Sequence, residues 1–266
     1  MTLQIIVCVK AVPDPAQADR IKIDPATRTL TRAQVPLAFN PLDRNALEAA
    51  LQIKEKSGAR ITVLSMGPSG AESIVRECLS LGADHGILLS DRAFAGADAY
   101  ATSFTLARGI ENIGKYDLIL CGMASSDGAT EWVGPQIASF LGIPAATQVE
   151  ELTQADSQTL IVRSGMENGY RLMEIKLPAL LTATRKLNRP RALSFSGIIK
   201  ARKKQIVQWG LQDLGLAEDQ VGQAASPTVV SAMTTRTARR QVEFIEGSIE
   251  EKAEILVQRL AQAGLI

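Results

Sequence analysis

The residues best suited to chemistry lie in one stretch, Cys121-Gly-Met-Ala-Ser-Ser-Asp-Gly-Ala-Thr-Glu-Trp-Val-Gly-Pro-Gln136. A strand end there runs through a loop of small residues into a helix start, with Pro135 near the first turn. Gly122 and Gly128 allow close approach of a ligand to the backbone, and Ser125, Ser126 and Thr130 supply hydroxyls. The free amides that open the following helix favour an anion. The chemistry implied is the holding of a phosphate or nucleotide. A tight strand-to-helix turn packed with small residues would use the same composition, since the stretch is neither a Walker loop nor a G-x-G-x-x-G fingerprint.

A second stretch of this kind is Ser90-Asp-Arg-Ala-Phe-Ala-Gly-Ala-Asp-Ala-Tyr-Ala-Thr-Ser103. A strand end leads through Gly96 into a helix whose first amides, those of Tyr100 or Ala101, Asp98 can cap, with Thr102 and Ser103 in the first turns. A capped helix without a ligand is the alternative. Two such loops at one sheet edge strengthen the binding reading. The segments Lys10-Ala-Val-Pro-Asp14 and Phe39-Asn-Pro-Leu-Asp43 complete the expected crevice. Asn40 offers a base or ribose a donor and an acceptor, and equally suits an Asx-type turn before Pro41. The cluster Lys200-Ala-Arg-Lys-Lys204 suits an acidic protein partner or a solvated basic turn.

No nucleophile and base are paired, no two carboxylates stand at a recognisable spacing, and no metal signature occurs. No catalytic residue is expected. The only histidine, His85, follows a Gly-Ala-Asp turn and reads as a solvated loop residue. Cys8, Cys78 and Cys121 sit in apolar patterns without metal spacing, which points to buried, reduced thiols. Lys and Arg number 29 against 28 Asp and Glu, so no whole-molecule field draws the chain to nucleic acid or an anionic membrane. No apolar run approaches the roughly 20 residues of a membrane span, and residues 1–10 enter a strand without a cleavable signal pattern. A cytoplasmic location is expected.

The positioning elements follow from periodicity. Apolar runs at 4–9, 61–66, 86–90 and 118–121 read as buried parallel strands. Helices are expected at 43–56, opened by Asp43 as an acidic cap and closed by Gly58, and at 71–81, closed by Gly82. Two more follow, from Asp98 to about residue 110 and after the glycine-bearing loop. Beyond Pro144, β-forming segments at 147–152, 159–163, 170–176 and 179–184 extend the sheet. Residues 187–247 show little sustained period, broken by Pro190, Gly197, Gly210, Gly215, Gly222 and Pro227. Ser248 and Glu251 then form a capping box for an amphipathic helix. The expected fold is α/β: a doubly wound, mainly parallel Rossmann-like sheet over 1–186, an extended arm over 187–247 and a C-terminal helix over 248–266. Ligands in such folds sit at the carboxyl ends of the strands, after Val9, Met66, Ser90 and Cys121.

The segments Val7-Cys-Val-Lys-Ala-Val-Pro-Asp14, Asn40-Pro-Leu-Asp43 with Ala46-Leu-Glu48, Met66-Gly-Pro68, Leu81-Gly-Ala-Asp84, the 122–136 stretch and Leu177-Pro-Ala-Leu-Leu-Thr182 together resemble the beta subunits of electron-transfer flavoproteins. The resemblance covers essentially the whole chain. It includes Leu187-Asn-Arg-Pro-Arg191 and Ile198-Ile-Lys-Ala-Arg-Lys-Lys204, which look like the family's recognition loop for dehydrogenases, with Phe195 in the place of its apolar anchor. It implies a heterodimer with an alpha subunit that carries most of the electron-carrying FAD site, and a flavin-containing dehydrogenase partner such as an acyl-CoA dehydrogenase. Partner contacts would fall on Phe195, Lys200, Arg202 and Lys203.

The resemblance also implies a second nucleotide in this chain, AMP in simpler members and FAD in members of the electron-bifurcating branch. The stretch 89–98 with Ala101-Thr102-Ser103 looks like that second branch, which favours FAD. Carried onto the matching positions, its contacts would be Cys8, Ala11, Asn40, Asp43, Met66, Asp91, Ala97, Asp98, Thr102, Gly122, Met123, Ala124, Asp127, Gly128, Thr130, Val133, Gly134 and Gln136. Many bifurcating relatives have Gln-Ala-x-Asp-Gly-Asp-Thr-x-Gln-Val-Gly-Pro after the glycine, whereas this chain reads Met123-Ala-Ser-Ser-Asp-Gly-Ala-Thr-Glu-Trp-Val-Gly-Pro135. Glu131 and Trp132 alter the fit of a flavin or NADH, so bifurcation with NADH stays open. The alternative from another class is a free-standing nucleotide-binding protein of the universal-stress or α/β hydrolase-like type. That alternative leaves 187–247 unexplained.

Overall fold

A computed structural model describes residues 2–14, 16–17, 22–23, 30–31, 35–154, 158–231 and 242–266. The strands are β1 (Gln4–Val9), β2 (Ala11–Pro13), β3 (Lys22–Ile23), β4 (Leu30–Thr31), β5 (Leu37–Phe39), β6 (Arg60–Met66) and β7 (His85–Leu89). They continue with β8 (Leu118–Gly122), β9 (Ala145–Gln154), β10 (Thr159–Met166), β11 (Gly169–Lys176), β12 (Ala179–Ala183) and β13 (Ile206–Trp209). The helices are α1 (Pro41–Ser57), α2 (Glu72–Leu81), α3 (Ala99–Ile113), α4 (Val133–Leu141), α5 (Phe195–Arg202) and α6 (Ile249–Gln262).

Among the described residues nine strands form one sheet in the order β11-β10-β9-β12-β8-β1-β6-β7-β13. The pairs from β9 through β13 are parallel, and β10 pairs antiparallel with both β9 and β11. After β1 the chain winds outward through β6 and β7, then returns to place β8 on the other side of β1. The gap between β1 and β8 is therefore the topological switch point, where diverging loops leave a crevice.

Alternation along β1 assigns the two faces. Ile5, Val7 and Val9 pack with Leu47, Ala50, Ile74, Val75 and Ala201 of α1, α2 and α5. Ile6 and Cys8 pack with Leu106, Ile110, Ile137 and Ala138 of α3 and α4. Each aliphatic side chain fully buried here contributes about 1.5–3 kcal/mol. The expected helix stops hold: the Gly58 amide bonds to Lys54 O from a left-handed conformation, and the Gly82 amide bonds to Cys78 O. Gly58 has φ 71°, which a side chain would strain.

Three local expectations change. Helix α1 starts at Pro41, with Asn40 at the N-cap position making no side-chain cap bond, so Asp43 is not the cap. Proline suits the first helical position because its missing N–H is unpaired there anyway. His85 is exposed but begins β7 rather than lying in a loop. The segment after Leu187 is not an extended arm throughout: Ser194 caps α5 by accepting from the Gly197 amide, and β13 joins the sheet edge beside β7. The chain divides into compact units Met1–Ser231 and Ala232–Ile266, so 187–231 belong with the first. The part of the expected arm at 232–241 lies outside the described residues. In the second unit Ser248 and Glu251 form the capping box of α6, whose Ile249, Leu256 and Val257 are exposed.

Candidate functional site

The loops after β1 and β8 are laced together at the switch point by three side chains. The Asp43 carboxylate, 5% exposed, accepts from the Lys10 amide at 2.8 Å and the Gly122 amide at 2.9 Å. Asn40 donates from Nδ2 to Ala124 O at 2.9 Å and accepts at Oδ1 from the Ser126 amide at 3.2 Å. Lys10 Nζ reaches Asp127 Oδ1 at 2.7 Å and Ser125 Oγ at 3.4 Å. Asn40 thus uses both halves of its amide within the protein, and its bonds set the loop rather than an Asx turn.

Gly122 is needed for a reason internal to the fold. A Cβ there would collide with the Asp43 carboxylate and come within 2.8 Å of the Leu42 backbone, so the close approach is made by the start of α1. Gly134 likewise lets α4 sit on β8 and β12, because a Cβ would meet Thr182 Cγ2 at 2.7 Å and Cys121 Sγ at 2.9 Å. Burial pushes the Asp43 carboxyl up to about 7, against the lowering effect of its hydrogen bonds with Asn40, Lys10 and Gly122. Burial, with the nearby Asp43 charge, pushes the Cys8 thiol up to about 12, which keeps it protonated. All three cysteines are free and buried.

Ahead of this lacing, α3 and α4 bring their N-termini side by side. Ser103 Oγ lies 2.5 Å from Ala99 O, 3.0 Å from Gln136 Oε1 and 3.3 Å from Val133 O, which joins the first turns of the two helices. Helix α3 is capped, since Asp98 Oδ1 accepts from the Ala101 amide at 3.0 Å. The other Asp98 oxygen accepts from the Thr228 amide and hydroxyl at 3.0 and 2.7 Å. Burial opposes ionisation of Asp98, yet these bonds hold its carboxyl below the usual range. Helix α4 is different: Trp132 occupies its N-cap position and makes no side-chain cap bond. The loop leading to it holds Ala129 and Glu131 at φ 46° and 61°, a left-handed backbone that costs side-chain-bearing residues energy.

The loop after β7 is held from elsewhere. Asp91 accepts from the Ala93 and Leu211 amides, which pull its carboxyl below the ordinary value. Gln223 donates its amide to Ala95 O, and Ser226 Oγ accepts from the Asp98 amide. Residues 210–228 therefore lie over the approach to α3, and no local sequence signal announces it.

The expected contacts thus fall into groups. Cys8, Asn40, Asp43, Gly122, Met123, Ala124 and Asp127 gather at the β1 and β8 ends, with Ala11 on β2 beside them. Val133, Gly134 and Gln136 open α4, while Asp98 and Thr102 open α3. Gly128 and Thr130 are exposed in the loop, Met66 ends β6, and Asp91 and Ala97 bound the loop after β7. Lys10 and Ser103 join these groups; Lys10 is signalled by being the charged residue that follows the apolar β1 run. Phe195, Lys200 and Arg202 lie on α5 and Lys203 follows it, on the opposite face of the sheet from α3 and α4. Among the described residues no group of His, Cys, Asp or Glu is arranged to hold a metal, and no helix is long and apolar enough to cross a membrane.

Residues 27–214 match the family model described as electron transfer flavoprotein domain. The chain is 45% identical to an electron transfer flavoprotein subunit beta of Thermoanaerobacterium thermosaccharolyticum, over 97% of this chain and 98% of the relative. It is 43% identical to the protein of the same description in Clostridium acetobutylicum, over 98% of each. It is 44% identical to the caffeyl-CoA reductase-Etf complex subunit CarD of Acetobacterium woodii, over 99% of this chain and 100% of the relative. A doubly wound sheet, a laced switch point and end-to-end similarity of this extent lead to one conclusion: the chain belongs to the electron transfer flavoprotein family, as a beta subunit.

Proposed function

We propose that this chain is the beta half of a heterodimer that passes electrons between a flavin-containing dehydrogenase and downstream acceptors, and that it holds a second nucleotide, FAD, along the carboxyl edge of its sheet. The observation that carries the FAD reading is the joining of the α3 and α4 N-termini through Ser103. Two helix starts side by side direct positive dipole ends at one place, and α4, which has no side-chain cap, offers its first amides there, which suits a diphosphate. The four loops involved leave β8, β1, β6 and β7, and three strand spacings are about 14 Å. An edge of that length suits an extended dinucleotide, whereas AMP needs only the 122–134 loop. When bound, the flavin supplies the redox chemistry.

The chain's own residues do the rest. Asn40, Asp43 and Lys10 fix the 122–127 loop before any ligand arrives, so little ordering cost remains for binding. Lys10, with its side chain partly exposed, is paired with Asp127 at the mouth. Family membership favours this reading over the free-standing universal-stress-type alternative. An alpha subunit as partner is supported by uncovered apolar side chains on the β10 and β11 hairpin, Ile161, Tyr170 and Leu172. An acyl-CoA dehydrogenase-type partner is supported by the caffeyl-CoA reductase complex to which CarD belongs by name. NADH-driven bifurcation is a further step, for which Trp132, 63% exposed beside the uncapped α4, is the residue to test.

The decisive experiment is nucleotide extraction from the intact heterodimer. Two flavins per dimer are expected. One flavin and one AMP would overturn the FAD reading and confine the nucleotide to the 122–134 loop.

A further inference from the structure

Phe195 is 79% exposed, yet the segment that carries it is fastened on both sides. Before it, Asn45 and Asn188 exchange amide bonds: Asn45 Nδ2 donates to Asn188 O at 2.8 Å and Asn188 Nδ2 to Asn45 O at 2.9 Å. Arg191 then forks onto Glu48, with Nε to Oε2 at 2.7 Å and Nη2 to Oε1 at 3.0 Å, and reaches Glu55 Oε1 from Nη1 at 2.6 Å. Positions 45, 48 and 55 follow one another at helical spacing along α1. Glu48 is 5% exposed, so its charge has little water to fall back on.

After Phe195 the fastening passes to α2. A Cβ on Gly197 would collide with Ser80 O, so the α5 backbone lies directly on α2. Arg76 Nη1 donates to Ala201 O at 3.0 Å and Lys204 O at 2.6 Å, which satisfies carbonyls at the end of α5. Lys204 Nζ turns inward to Ala83 O, and so leaves the outward basic cluster. Residues 192–196 thus bridge α1 and α2 under constraint. They present Leu193 and Phe195, with Ile199 one helical turn on, beside Lys200, Arg202 and Lys203.

We infer that the Arg191–Glu48 pair is a positioning device for partner docking: it holds residues 192–196 so that Phe195 is ready to enter an apolar pocket rimmed by carboxylates on the dehydrogenase. This rests on the reading of Phe195 as a docking anchor. The pair sits more than one helical turn along α1 from Asp43, and its hydrogen bonds reach only Gln52 and Glu55 beyond the pair itself, none of them at the nucleotide edge. It acts by sparing the ordering of a loop at the moment of association, which changes affinity and leaves the electron-transfer step alone.

The test uses the co-expressed heterodimer, with a purified acyl-CoA dehydrogenase reduced by its acyl-CoA as electron donor at varied concentration. Arg191→Ala and Glu48→Gln should each raise the KM for the dehydrogenase about fivefold or more, with kcat within about twofold and nucleotide content unchanged. Arg191→Lys keeps the charge without the fork and should recover part of the loss. Phe195→Ala should raise KM similarly, and the double variant Arg191→Ala with Phe195→Ala should be no worse than Phe195→Ala alone. Multiplying effects in the double variant would overturn the inference, since Arg191 would then act independently of Phe195. A fall in kcat or nucleotide content in both Arg191→Ala and Glu48→Gln would also overturn it, in favour of a purely structural pair. If Phe195→Ala raises KM while both clamp variants do not, only the clamp fails. If Phe195→Ala has no effect, the anchor itself is wrong and the inference falls with it.

Discussion

Replacing Asp43 by Asn isolates the charge at the centre of the switch point. The buried carboxyl is displaced from an ordinary 3.8 to about 7, chiefly by burial. Each decade of displacement is worth about 1.4 kcal/mol, so ionising this group inside the folded protein costs about 4 kcal/mol more than in the unfolded chain. The native state therefore keeps a proton between pH 4 and 7 that the unfolded state releases, and stability falls as pH rises through that window. The contribution is fully present below pH 4 and lost above pH 7. Asparagine removes the charge but keeps an acceptor for only one of the Lys10 and Gly122 amides, and turns an NH2 donor toward the other, whereas the hydroxyl oxygen of the protonated acid still accepts. Asp43→Asn should thus lack this part of the pH slope, be less stable than the parent protein near pH 4 by about 1–3 kcal/mol through the lost bond, and gain on it by up to about 4 kcal/mol between pH 4 and pH 7. Urea unfolding across the pH range measures the slope, and isotope-edited infrared absorption of the carboxyl measures the titration directly. A carboxyl midpoint near 4, with parallel pH slopes in the two proteins, would show that the Lys10 and Gly122 amides outweigh burial and that the reasoning is wrong.

Gly122→Ala should destabilise the chain by about 2 kcal/mol, because the added methyl collides with Asp43 and Leu42; an unchanged Tm would show that the two loops can part without cost. Thr102→Val keeps shape and removes a hydroxyl at the start of α3, and should weaken retention of the proposed second nucleotide by about 1 kcal/mol. Release on dilution reads that change, and wild-type retention would move the diphosphate away from α3. Asp98→Ala should cost about 1 kcal/mol of stability through the lost cap. It should also loosen 226–228, which amide hydrogen exchange at Thr228 will detect as faster exchange.

Much of the architecture was legible because it rests on local physics. The apolar runs of β1, β6, β7 and β8 mark strands buried on both faces, and Gly58 and Gly82 end helices because a left-handed or open backbone favours glycine. Asp98 as a cap and the Ser248 box were equally readable, since each involves atoms three residues apart. The end of the α/β alternation near Pro144 was visible too, as the change from helical spacing to β formers.

The site itself was decided by contacts that no window along the chain contains. Asp43 has the composition of a helix opener, but it bonds to an amide 79 residues away because the switch in strand order puts β8 next to β1. Thr228 reaches Asp98 across 130 residues, and β13 completes an edge that 187–247, read by periodicity, left as an arm. The amino-acid sequence alone determined the strands β1, β6, β7 and β8, the helices between them and the loops at which a nucleotide could sit. Only the tertiary structure decided which loops meet, which glycines serve the fold and how firmly Phe195 is held, since strand order and long-range hydrogen bonds arise from packing both faces of one sheet at once.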